Sequence, residues 1–206
     1  MAEKPYYNHD SIWEARAQQK LPTWGSYSLH FYKTVYSWLN QYSPPPKTIL
    51  DVGCGAGAFG SRLTQGYDYT GVEESLSAHE WGKQKFPQLK FILADFAQKQ
   101  TAPIFPEKFD IVICLNVFHC FTEKEHRLNL LENCFQNLKK EGIFILTTMC
   151  GPEPKKYRAS PRPRAFLLIE KIKQEIQTFF PKIIFEQENL PNPKAPIGNY
   201  YGIFST

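Results

Sequence analysis

The ten residues Thr48-Ile-Leu-Asp-Val-Gly-Cys-Gly-Ala-Gly57 constrain this chain more than any other segment. A short apolar run reaches an acid, Asp51, and then places glycine at three alternate positions before a helix-like stretch. That order reads as strand, tight turn, helix. Glycine lets a ligand approach the backbone, a helix start aims N–H groups at it, and Asp51 supplies an acceptor at the strand tip. The segment therefore predicts a nucleotide-like ligand at the carboxyl end of a first β-strand.

The rest of the chain repeats the alternation. Apolar runs at 48–52, 68–72, 90–94, 109–114, 142–148, 182–186 and 199–205 are separated by amphipathic stretches, the pattern of a parallel α/β sheet. Helix starts are expected at Ser77-Ala-His-Glu80 and Thr122-Glu-Lys-Glu125, both with capping-box spacing. Leu128, Leu131, Phe135 and Leu138 follow at helical spacing, and Lys139, Lys140 and Gly142 predict that helix's stop. A later helix is expected to end at Pro181, with Phe166, Ile169, Ile172, Ile176 and Phe179 on its apolar face. At 206 residues the chain is expected to be a single domain, with a helical cover over 1–46 and an α/β core over 47–206. In the cover, Ser11-Ile-Trp-Glu14 reads as one helix start, and Leu29, Tyr32, Tyr36 and Leu39 mark a second helix. Trp13, Trp24 and Trp38, with Tyr6, Tyr7, Tyr27 and Tyr36, make it unusually aromatic.

Open α/β sheets bind ligands beyond the carboxyl ends of their strands, where the strand order reverses. Candidate residues should therefore follow successive strands. Asp51, Gly53, Gly55 and Ala56 follow the first, Glu73 ends the second, Asp95 and Phe96 follow the third, and Asn116 to His119 follow the fourth. Gly53-x-Gly55-x-x-Ala58 also fits the dinucleotide fingerprint, with Glu73 roughly 20 residues on as a ribose acid. Against that reading, Asp51 stands two residues before the first glycine, where a dinucleotide fold carries an apolar residue. With Glu73 and the acid-plus-apolar pair Asp95-Phe96, the turn resembles motif I of the class I S-adenosylmethionine-dependent methyltransferases, in their small single-domain, type 11/12-like form.

The resemblance implies a Rossmann-like, seven-stranded, mostly parallel sheet with helices on both faces. Tyr200 to Ser205 would be an antiparallel last strand, inserted between the fifth and sixth. It places Asp51 near the cofactor's methionine part and Glu73 on the ribose hydroxyls. Asp95 and Phe96 fall at the adenine, and Asn116 lies beside the methionine and methyl group. The implied cofactor is S-adenosyl-L-methionine, with S-adenosyl-L-homocysteine as product and no metal. In-line methyl transfer asks chiefly for alignment in a dry pocket. His119 has three readings in this setting: general base, pocket lining, or packing. The implied activity is methyl transfer to a small-molecule acceptor, and a cofactor-binding scaffold without turnover is the reading from another class.

Composition narrows the surroundings. No apolar run of about 18 residues is present to span a bilayer and no signal-like segment opens the chain, so a cytoplasmic protein is expected. The five cysteines stand singly, which fits reduced thiols rather than a disulfide or zinc framework. The formal net charge of +4 is concentrated in Lys155, Lys156, Arg158, Arg162 and Arg164, with no acid among residues 155–164. That basic loop reads as a solvated connection, as a holder for RNA or a phosphorylated acceptor, or as a contact for a protein or an anionic metabolite. Nucleic acid is the second choice, because core and cover leave no separate RNA-binding segment. No Asn/Asp-Pro-Pro-Tyr/Phe tetrapeptide follows the fourth strand and no Pro-Cys pair occurs, which disfavours adenine amines, glutamine and C5 of cytosine as acceptors.

Overall fold

The computed structural model describes residues 26–63, 65–98, 105–151, 155–157, 164–189 and 197–206. The apolar runs become β1 (Lys47–Val52), β2 (Tyr67–Glu73), β3 (Lys90–Leu93), β4 (Phe109–Leu115) and β5 (Leu138–Cys150). A two-stranded excursion follows, β6 (Lys155–Tyr157) and β7 (Arg164–Phe166), and then β8 (Lys182–Asn189) and β9 (Gly198–Ser205). The main sheet has the order β3-β2-β1-β4-β5-β9-β8. Its first five strands pair in parallel, and β9 runs antiparallel between β5 and β8. This is the expected seven-stranded, mostly parallel arrangement with an inserted antiparallel last strand.

Side chains alternate across a strand, so each run feeds two cores. Ile49, Ile111, Ile113, Ile145 and Ile203 face one side, under Val35, Trp38 and Leu39 of α1 (Ser26–Tyr42). Leu50, Val112, Phe144, Leu146 and Phe204 face the other. There they meet Leu130, Leu131 and Cys134 of α3 (Lys124–Asn137) and Ile172 and Ile176 of α4 (Ile169–Gln177). Between β2 and β3 lies α2 (Leu76–Lys85). Strand order reverses between β1 and β4, which opens the crevice at the turns after these two strands.

Several local expectations are corrected. The Ser75 hydroxyl, not that of Ser77, caps α2 by accepting the Ala78 N–H at 3.2 Å. Glu73 sets this start two residues early, because its carboxylate holds the Ser75 N–H at 2.9 Å. At α3 the cap position is Glu123 and no side chain bonds the helix end, so the Thr122 capping box does not form. Gly142 stops no helix: it lies inside β5, where a Cβ would stand 2.8 Å from the Asp110 carbonyl oxygen. Phe166 belongs to β7 and Phe179 follows α4, so only Ile169, Ile172 and Ile176 of that expected face are helical. The basic segment is not one plain loop, since Tyr157 pairs with Arg164 and Lys155 with Phe166. The expectations at Tyr6, Tyr7, Ser11 to Glu14, Trp24, Arg158 and Arg162 lie outside the described residues.

Candidate cofactor site and active site

The parallel register draws the acids to one edge. Asp51 lies opposite Gly71 of β2 and Ile113 of β4, while Glu73 lies opposite Leu93, two residues before Asp95. The glycine turn after β1 has positive φ at Gly53, Gly55 and Gly57 (73°, 55° and 76°). Gly53 has a second constraint: a Cβ there would clash with Val117 Cγ2 in the turn after β4. The two turns that flank the switch point therefore touch.

Two features of that turn differ from the sequence expectation. Its N–H groups are not bare: Gly53 and Cys54 donate to the Val72 carbonyl at 2.8 and 3.0 Å, and Gly57 donates to Cys54. Gly55 donates to Glu73 Oε2 at 2.8 Å. The helix-like stretch after it is only a 3-10 turn, Gly60–Arg62. A pyrophosphate-binding turn needs open donors at the start of a full helix. The dinucleotide reading loses its physical basis here.

What the edge presents instead is carboxylate. Glu73 is buried and accepts N–H groups on both oxygens, from Gly55 and Ser75. Asp51 is 2% exposed and accepts the Tyr69 hydroxyl at 2.8 Å. Burial, with Glu73 adding like charge against the Tyr69 hydrogen bond, pushes its carboxyl up to about 7. A half-buried Asp95 closes an Asx turn on the Ala97 N–H at 3.0 Å. The Phe96 ring packs into the core against Phe105. Cys54 packs beside Gly71, and burial holds its thiol well above the ordinary range.

Asn116 is the one non-glycine at positive φ among the described residues (61°), a region Asn tolerates better than most. Its N–H is shared by the Thr147 carbonyl and hydroxyl at 2.9 and 3.1 Å, which ties the turn to β5. His119 lies one step further, 4% exposed in the 3-10 turn Phe118–Cys120. Its Nδ1 accepts the Met149 N–H at 3.2 Å, with the Thr148 hydroxyl also 3.2 Å away. An amide can only donate, so the neutral ring carries its proton on Nε2. His119 thus belongs to the β5 side of the crevice, while Asp51, Gly53, Gly55, Ala56, Glu73 and Asp95 form the other side.

Sequence reasoning missed four contributors. Tyr69 holds Asp51 from the neighbouring strand. Leu76 and Leu93 flank Glu73 and Asp95 with large exposed apolar side chains, 48% and 45% exposed. Arg127 spans α3 and α4: its guanidinium grips Glu175 at 2.8 and 2.9 Å and donates to the Phe121 and Thr122 carbonyls behind the His119 turn. Only Leu76, next to a Ser cap, carries a local signal. Among the described residues no cluster of His, Cys, Asp and Glu is arranged to hold a metal ion, and no helix is long and apolar enough to cross a membrane.

A Rossmann-like sheet with an acid at the end of each of its first two strands, an acid after the third and a glycine turn at the switch point defines a nucleoside-binding methyltransferase fold. Its sequence profile agrees: that of the methyltransferase domain family matches residues 45–190, and the chain belongs to this family of class I S-adenosylmethionine-dependent methyltransferases. The ubiquinone biosynthesis O-methyltransferase of Histophilus somni is 27% identical over 111 residues, covering 50% of this chain and 45% of that protein. Cyclopropane mycolic acid synthase 1 of Mycobacterium tuberculosis is 25% identical over 145 residues, covering 66% and 48%. The chain spans about half the length of these curated relatives. Among solved structures, the 1,6-didemethyltoxoflavin-N1-methyltransferase of Burkholderia thailandensis, with 1,6-didemethyltoxoflavin and S-adenosylhomocysteine bound, superposes with a TM-score of 0.70. Identity there is 17%, with 95% of this chain and 85% of that chain covered.

Proposed function

We propose that this domain transfers the methyl group of S-adenosyl-L-methionine to a small-molecule acceptor. The observation that supports this most is the pairing of a glycine turn, four of its N–H donors bonded internally, with Asp51, Glu73 and Asp95 along one edge. Such a site suits a ligand that is cationic and rich in hydroxyls and carries no phosphate. The cofactor supplies an electrophilic methyl group on a sulfonium, which becomes a neutral thioether when the acceptor atom takes the methyl.

The chain's own residues then bind and orient. Asp51 faces the cationic methionine part, Glu73 accepts ribose hydroxyls, and Asp95 with the Phe96 backbone meets the adenine between Leu76 and Leu93. Gly53, Gly55 and Ala56 keep the wall thin, and Asn116 holds the turn beside the methyl group. His119 lines the acceptor side and offers an N–H donor. For it to act as a base, Nδ1 would have to be released from the Met149 amide. The ubiquinone and toxoflavin enzymes named above point to small acceptors for related folds and favour that class here.

Calorimetry tests the reading. S-adenosylhomocysteine is expected to bind in the micromolar range and a nicotinamide dinucleotide not at all. No heat from S-adenosylmethionine or S-adenosylhomocysteine at millimolar concentration would overturn the cofactor assignment. Binding without methyl transfer to any fraction of a cell extract would favour the scaffold.

A further inference from the structure

The acceptor side carries a cation that no described carboxylate pairs with. Strand β7 returns from the basic excursion and is stitched to the end of β5 by the Cys150–Leu167 bridge and by the Gly151 N–H to the Leu167 carbonyl at 3.1 Å. Arg164 and Phe166 share one face of β7, since alternate residues point the same way. Phe166 lies against the His119 ring, with centroids 6.3 Å apart. Arg164 reaches the next residue along, where its Nη1 stands 3.7 Å from the Met149 sulfur. Met149 in turn donates its N–H to His119, so the guanidinium sits one residue from the His119 turn.

That thioether is a poor partner. A guanidinium has five donors, and sulfur is a weak acceptor. Arg164 is half-buried, and it makes no ion pair with a described residue. Arg127 shows the contrast, with Glu175 and two carbonyls filling its fork. A half-withdrawn guanidinium left this way is poised for an oxygen anion from outside the chain. Charge is also divided along the edge: the acids cluster after β1, β2 and β3, while Arg164 stands beyond β5.

We propose that Arg164 is a specificity-determining residue that binds an anionic group, carboxylate or phosphate, on the methyl acceptor. This rests on the transfer reading above and names the class of acceptor for it. An acceptor with such a group would dock its anion at Arg164 and direct its nucleophilic atom toward the acid-lined cofactor half.

The test titrates benzoate, inorganic phosphate and neutral benzamide into the protein at low ionic strength, with and without saturating S-adenosylhomocysteine. One anion is expected to bind and benzamide not, and which anion binds separates carboxylate from phosphate. Arg164→Gln should weaken that binding at least about tenfold while S-adenosylhomocysteine affinity stays within about twofold. Arg164→Lys, which keeps the charge without the planar fork, should fall between the two. If neither anion binds the wild type, or if Arg164→Gln binds as well as wild type, the assignment fails. If the protein binds a short RNA instead, and Arg164→Gln leaves this unchanged, the basic segment is a polyanion surface and the assignment also fails. Loss of the transfer reading would show separately, as missing affinity for S-adenosylhomocysteine.

Discussion

The two halves of the crevice are built differently. On the β1–β3 half, partners lie within a few residues of the glycine turn or one strand away. Gly55 and Ser75 bond Glu73, and Tyr69 bonds Asp51. On the β4–β5 half the partners are more distant in sequence: His119 with Met149 and Arg127 with Glu175. The first half is a closed motif built from adjacent strands, and it suits one invariant ligand. The second is assembled by tertiary packing, so it can change with the acceptor while the first stays fixed.

The largest expected effect lies in the second half. Arg127 and Glu175 are 5% and 2% exposed, and the guanidinium also lies 5.9 Å from the Phe118 ring centroid. Removing one partner leaves the other charge buried and alone, at a cost of about 3–5 kcal/mol. Arg127→Met should therefore lower urea-unfolding stability by that amount and loosen the turn that carries His119. The double variant Arg127→Met with Glu175→Leu should recover most of it. A drop below about 1 kcal/mol in the single variant would show that the α3–α4 clamp does not hold the acceptor half together.

The same division explains what was legible in the sequence. Asp51, Gly53, Gly55, Glu73 and Asp95 announce themselves through spacing, because strand–turn motifs bring near neighbours to one edge. The order and sense of the strands follow from the alternation together with the family resemblance. The caps did not follow: Ser77 and Ser75 look alike as letters, and only the folded Glu73 carboxylate selects Ser75. Gly142 reads as a helix stop in sequence, yet it is a contact with Asp110, 32 positions away. Closure of the glycine turn depends on Val72 and Glu73 arriving from β2, so no local pattern carries it. Arg127 and Arg164 had no local signal for their partners at all.

A smaller effect is expected in the first half. Glu73→Gln preserves shape, but its amide offers one acceptor oxygen to two N–H groups, so a buried donor is left facing another donor. Affinity for S-adenosylhomocysteine should fall by about 1–3 kcal/mol, with turnover at saturating cofactor much less affected. Calorimetry on the folded variant separates this from unfolding. An unchanged affinity would mean that the turn is not held for the ligand by Glu73, and the contrast between a preset half and an adaptable half would weaken.

The most specific effect, spread over several pH units, is in pH. The Asp51 carboxyl is raised from 3.8 to about 7 by burial first and by Glu73 second. For an acid raised on folding, the native state holds a proton that the unfolded chain has released. Its stabilising contribution is thus complete below the unfolded value and is lost as pH rises through the folded one. Stability should decline between about pH 4 and pH 7, by up to roughly 4 kcal/mol from this group, and then level off. Affinity for a ligand with a cationic methionine part should run the other way. Below pH 7 the ligand must displace the Asp51 proton, so affinity should rise with pH by at most about tenfold per unit and flatten above 7. Proton release on binding at pH 6, read from calorimetry in buffers of different ionisation enthalpy, measures the same coupling directly. Asp51→Asn should flatten both curves. If wild-type affinity is already flat between pH 5.5 and 8, Asp51 does not face the cationic part, and the cofactor half owes its charge preference to Glu73 and Asp95 alone.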